Sequence, residues 1–115
     1  MFWKAFLFLA QVAAPPAGAK VWTHADFPRS ESAVLTYPVD ALGAGLEGRA
    51  RVALKLGGDG VPVACWIVES SGAASLDAAS CETMLVKARF APKRDADGRP
   101  ADEVLVLPVR WELPD

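Results

Sequence analysis

The stretch GRARVALKLGGDGVPVACWIVE, residues 48–69, decides the fold. From Gly48 to Leu56 apolar and polar residues alternate, with Val52, Leu54 and Leu56 on one side of an extended chain and Arg49, Arg51, Ala53 and Lys55 on the other. That is a strand with one wet face. Gly57-Gly58-Asp59-Gly60 then supplies residues that tolerate positive φ, which predicts a hairpin into a second strand, Val61 to Glu69. In this second strand Val61, Val63, Cys65 and Ile67 share one face, and Pro62, Ala64 and Trp66 share the other. Pro62 cannot donate to a ladder, so the strand belongs at an edge of its sheet.

Downstream of the hairpin, Ser70-Ser71-Gly72 breaks the extended chain. Ser75 is placed to cap a helix from Leu76 to about Arg89, with Asp77 and Glu82 toward its positive end and Lys87 and Arg89 in its last turn. Pro92 stops further growth. Lys93 to Pro100 reads as a polar loop, and Glu103 to Leu113 as a last strand with Leu105, Leu107, Val109, Trp111 and Leu113 on its core face. A hairpin followed by a helical crossover leaves the first strand in the middle, so the spatial order is two, one, three. Upstream, Tyr37-Pro38 followed by Val39-Asp40-Ala41-Leu42 and two glycines reads as a short helix. The fold class is α+β: a three-stranded antiparallel sheet with a short N-terminal helix and one long helix on one face.

Two cysteines, Cys65 and Cys81, occupy positions that can meet. Cys65 shares a strand face with branched apolar residues, and Cys81 lies on a helix stripe with Ala78, Leu85 and Ala88. If the helix packs on that face, the two sulfurs approach across the core. A redox-active pair would need a close C-x-x-C spacing and an activating neighbour, both missing here, so the reading is a structural disulfide.

The N-terminus carries an address. Met1 to Lys4 forms a short positive region, Ala5 to Ala14 an apolar run, and Ala17-Gly18-Ala19 a small-x-small cleavage signal, the layout of a secretory signal peptide. The apolar run is about half the roughly 20 residues a membrane span needs, and Pro15 and Pro16 end it; the competing reading is an uncleaved anchor. Residues 1–19 are therefore read as signal peptide, 20–36 as an irregular segment and 37–115 as the domain. The segment 20–36 carries Trp22, Phe27, Val34 and Leu35, enough apolar surface to lie against the domain, with a short strand around Val34 to Tyr37 as one form of that contact.

Setting aside Lys4, 11 basic residues face 14 acidic ones. That balance excludes nucleic acid and anionic membrane as principal partners. Catalytic signatures are equally sparse. His24, near Asp26, has no cysteine or second histidine spaced for metal. Ser70-Ser71-Gly72 lacks the glycine-x-serine-x-glycine context of a nucleophile elbow, and Gly57 to Gly60 lacks the lysine and following helix of a P-loop. The basic group Lys87, Arg89, Lys93 and Arg94 complements a helix C-terminus. No metal, cofactor or small-molecule substrate is expected, and the protein is read as a non-enzyme.

From Tyr37 to Leu113 the wording is specific: Tyr37-Pro38, Glu47-Gly48, Asp59-Gly60, Ser70-Ser71-Gly72, Leu76-Asp77 and Arg89-Phe90-Ala91-Pro92. This order of motifs resembles the C-terminal domain of the TonB family, the periplasmic energy transducers. The resemblance implies capture of the N-terminal box of outer-membrane TonB-dependent receptors by strand addition along the last strand, with Glu103, Val104, Val106, Pro108, Arg110 and Glu112 as the docking strand. Pro108 removes one donor, either from the internal ladder or from the open edge. The sheet face carrying Ala53, Ala64, Trp66 and Val68 is a second candidate surface, for a homodimer or another partner, unless residues 20–36 cover it. The chain carries no long proline-rich spacer between leader and domain, which departs from the family's full design. The alternative function is a disulfide-stapled soluble envelope adaptor or dimerising domain with no role in energy coupling.

Overall fold

The computed structural model describes residues 15–27 and 37–114. The leader expected over residues 1–19 falls mostly outside them, as does most of the strand expected around Val34 to Tyr37. In chain order the elements are β1 (Val21–Trp22), α1 (Val39–Gly43), β2 (Gly48–Leu56), β3 (Pro62–Glu69), α2 (Ala74–Lys87), β4 (Lys93–Arg94), β5 (Pro100–Ala101) and β6 (Glu103–Trp111). The main sheet is antiparallel, in the order β1-β3-β2-β6, and β4 and β5 form a separate two-stranded ribbon.

The expected order of the three long strands holds, with β2 between β3 and β6, but the sheet has four strands. Val21 and Trp22, assigned to an irregular segment, pair with Trp66 and Cys65. Two residues are too few to show a period, which is why the pattern hid them. What holds them is tertiary: the Trp22 side chain packs against the core, Lys20 Nζ sits 5.8 Å from the centre of its ring, and His24 Nε2 donates to the Pro62 carbonyl at 2.7 Å. Since β1 reaches only Trp66 and Cys65, most of the outer edge of β3 has no strand beside it among the described residues. The loop expected at Lys93 to Pro100 likewise closes into the β4–β5 ribbon, because the Asp95 carboxylate accepts the N–H groups of Asp97 and Arg99 and fixes a tight turn there.

Where alternation is unbroken, the expected faces are found. Ala50, Val52, Leu54 and Leu56 of β2 are buried on the core side, with Val109 and Trp111 of β6. In β3 the pattern breaks. Lys55 pairs with Ala64 while Leu56 pairs with Pro62, so Val63 is an extra residue in a bulge. The bulge turns Pro62 into the core and leaves Val63 44% exposed, reversing the faces expected for both. A second register shift lies between the Arg51–Glu69 and Val52–Ile67 pairs. At the hairpin, Gly57 N–H donates to the Val61 carbonyl and Gly60 N–H to the Gly57 carbonyl, both at 2.9 Å. Gly60 has φ +80°, and a Cβ there would run into the Phe90 carbonyl, so glycine is required by both backbone and space.

Helix α2 begins two residues earlier than expected and is not capped by Ser75. Ala73 is the N-cap residue and makes no side-chain bond. Asp77 takes over the entry instead: its carboxylate accepts the Ser71 N–H at 2.8 Å, the Ser71 hydroxyl at 2.7 Å and the Ser70 hydroxyl at 2.6 Å. This ties the first turn of the helix to the end of β3. The helix buries Leu76, Ala79, Ser80, Cys81 and Leu85 against β2 and β3. Cys81 is bonded to Cys65, with Cα atoms 5.5 Å apart.

Ser80 is the one buried polar side chain among the described residues. It donates to the Leu76 carbonyl at 2.7 Å and accepts Trp111 Nε1–H at 2.8 Å, which locks the helix to the end of β6. Tyr37 stands edge-on to Trp111, ring centres 5.3 Å apart, and its hydroxyl donates to the Leu46 carbonyl. Desolvation first, and then the Glu47 carboxylate, raise the Tyr37 phenol above its ordinary value, which keeps it a donor.

Replacing both cysteines (Cys65→Ser with Cys81→Ser) should lower unfolding stability by about 3 kcal/mol, the chain-entropy value for a closed loop of this length. Urea unfolding of the oxidised protein and the double variant measures it. A loss below about 1 kcal/mol would mean that packing alone holds α2 on the sheet.

Candidate functional site

Among the described residues β6 pairs with β2 and with no other strand, so one of its sides is open. The hairpin determines which backbone groups face that side. Because Gly57 N–H bonds to Val61, the backbone of Gly57 is directed at β3. Successive residues of an antiparallel strand direct their N–H and C=O to opposite sides. Leu56, Leu54, Val52, Ala50 and Gly48 are therefore directed at β6. Their register partners are Glu103, Leu105, Leu107, Val109 and Trp111, and that register runs without a shift. The backbones of Val104, Val106, Pro108 and Arg110 consequently face the open edge.

Pro108 pairs with Arg51 in a position that needs no hydrogen bond to β2. Its missing N–H costs the internal ladder nothing, and the gap falls on the outer edge. The edge offers N–H donors at Val104, Val106 and Arg110 and carbonyl acceptors at all four residues. A flat edge with every group available would be an aggregation hazard; one proline in the row blunts it.

Of the six residues of the expected docking strand, four lie together on this edge and two do not. The Glu103 backbone is turned to β2, and its carboxylate lies 3.7 Å from Lys93 Nζ. Glu112 follows the strand and lies 3.5 Å from Arg110. Val106 is 47% exposed, Pro108 and Arg110 are exposed, and Val104 is half-buried. On the second candidate surface, Ala53 and Trp66 are buried and Ala64 is half-buried, while Val68 is 48% exposed. Ala53 is flanked by Trp66 on one side and Val106 on the other.

Among the described residues no group of three or more histidine, cysteine, aspartate or glutamate side chains is placed to hold a metal ion. Ser70, Ser71 and Asp77 form a hydroxyl–carboxylate cluster, but His24 is bonded to Pro62 and supplies it no base. The cluster shapes the entry to α2. Periodicity could not have revealed it, nor Ser80, because both depend on where the chain returns in space.

The sequence profile described as "Gram-negative bacterial TonB protein C-terminal" matches residues 33–113. The chain belongs to this family. Searches of curated proteins and of solved structures find no match. TonB C-terminal domains are periplasmic transducer or binding modules that work with outer-membrane receptors, and this chain carries such a domain over nearly all of its described residues. No helix among those residues is long and apolar enough to cross a membrane.

The assignment of edge-facing residues makes a proline scan informative. Val106→Pro should leave the β2–β6 ladder intact and cost about 1 kcal/mol or less. Leu107→Pro removes a ladder bond and a core side chain, and should cost about 3 kcal/mol or more. Equal losses in thermal or urea unfolding would show that the parity is wrong.

Proposed function

We propose that this protein is an exported, TonB-like periplasmic module that binds the N-terminal box of TonB-dependent receptors, taking the receptor segment as an added strand along β6. The observation that carries the reading is the open edge, where Val104, Val106, Pro108 and Arg110 direct their backbones away from the sheet. Strand addition uses such unpaired groups for affinity and alternate side chains for selectivity. Family membership supports the partner class. The signal-peptide layout of residues 1–19 supports export.

Pro108 sets the strength of the interaction. A recruited strand finds three donors where an uninterrupted edge would present four, and one missing bond is worth about 1 kcal/mol net, roughly fivefold in affinity. Binding is thus weakened in the middle of the strand and retained at both ends. A transducer that must release its receptor after each cycle is served by an edge of this kind.

Titration of receptor N-terminal box peptides into the protein, followed by amide resonances, tests the reading. The amides of Val104, Val106 and Arg110 should shift most, and Pro108→Ala should tighten binding about fivefold by restoring a donor. Peptides that leave the residues from Glu103 to Glu112 unperturbed would rule out capture on this strand.

A further inference from the structure

The side chains of the four edge-facing residues stand on the sheet face opposite α2, and at one end of that face the register places Arg49 directly across from Arg110. Both are exposed. Residues paired in this way have Cβ atoms about 4.5–5.5 Å apart, and like charges so placed destabilise a sheet. The neighbouring cations are compensated: Arg51 lies 3.3 Å from Glu69 and Arg110 lies 3.5 Å from Glu112. Arg49 has no ion pair among the described residues. Glu47, the other carboxylate at this corner, accepts the Leu113 N–H at 3.0 Å. Glu47, Gly48, Arg49, Arg110, Trp111 and Glu112 line a shallow open groove that reaches the free edge.

We propose that this corner is a carboxylate site that sets the register of the added strand: the segment captured on β6 carries an Asp or Glu beside Arg110, with its side chain between Arg110 and Arg49. The inference rests on the strand-addition reading and adds the chemistry and position of the recognised residue. Residues paired across strands point to the same face, so the side chain beside Arg110 emerges on the arginine face. Arg49 is two strand spacings away, about 9–10 Å, within the combined reach of an arginine and a glutamate. Arg110 also turns its backbone to the edge, so one residue supplies the incoming strand with a donor, an acceptor and a cation.

The same geometry explains why the acid belongs at this end. Opposite Val104 and Val106 the face is apolar, and a carboxylate there would be desolvated without a partner. At Pro108 the edge offers no donor. Strand addition between alternating sequences is prone to slip by two residues, because every second position looks alike. A single acid matched to the Arg49–Arg110 pair removes that ambiguity, and a lysine in its place would meet two like charges.

The test uses the full chain and a peptide of alternating threonine and valine bearing one Glu near either end, together with its Gln and Lys twins. At low salt the Glu peptide should bind about tenfold more tightly than the Gln peptide, and the Lys peptide more weakly than both. The Glu advantage should shrink as salt rises, diminish in Arg49→Gln and vanish in Arg110→Gln. Arg49→Gln should also raise the melting temperature of the unbound protein, since it removes the like-charge pair. Equal affinity of the Glu and Gln peptides, with β6 amides shifting for both, would overturn the carboxylate site and leave strand addition standing. A Glu advantage that persists in both arginine variants would place the carboxylate elsewhere and equally overturn it. No β6 shift with any peptide would overturn strand addition and this inference together.

Discussion

The structure depends on β2 being paired along both sides. Its backbone is shared between β3 and β6 residue by residue, and its side chains are shared between the helix face and the opposite face. From that double alternation follow the burial of Ala50, Val52, Leu54 and Leu56, the outward turn of Val104, Val106, Pro108 and Arg110, and the meeting of Arg49 with Arg110. A slip of one residue in the β2–β6 register would expose the core row and direct Pro108 at β2. Core packing and the edge are thus two consequences of one register.

Three ties hold the remaining layers to this strand. The Cys65–Cys81 bond joins β3 to the middle of α2, the Asp77 carboxylate joins the start of α2 to the end of β3, and Ser80 joins α2 to Trp111 at the end of β6. Each fixes a different point of the helix, so α2 can neither slide nor swing across the sheet. The mature chain is too short for a thick core, and in so small a domain a covalent bond and a satisfied buried polar pair are a substantial part of total stability. The rigidity matters for the edge, since a strand that receives another strand must hold its own backbone groups in line.

Much of this was legible from alternation and punctuation. Residues 48–56 read as a strand and were found as one; the glycine-rich turn, the crossover helix, the last strand and the half-cystine pair lay where their patterns placed them. The errors share a cause. The bulge at Val63, the two-residue strand at Val21–Trp22 and the ribbon at Lys93–Arg94 with Pro100–Ala101 are local departures stabilised by contacts with distant parts of the chain. Ser75 looked like a cap because serine before an apolar run commonly is one, but Asp77 had closer donors in Ser70 and Ser71. Glu103 and Glu112 were grouped with the docking strand by position along the chain; backbone direction sets Glu103 apart, and Glu112 follows the strand's end.

By itself the sequence determined the α+β class, the order of the three long strands, the core rows of β2 and β6 and the presence of one proline in the last strand. Those are properties of period and local chemistry, which a strand or helix expresses wherever it lies. Only the tertiary structure decided which side of β6 Pro108 faces, which residues present open backbone groups, and that Arg49 stands across from Arg110. These depend on register between strands distant in sequence, and register is fixed by the phase of the hairpin hydrogen bonds and by core packing rather than by any residue's own preference.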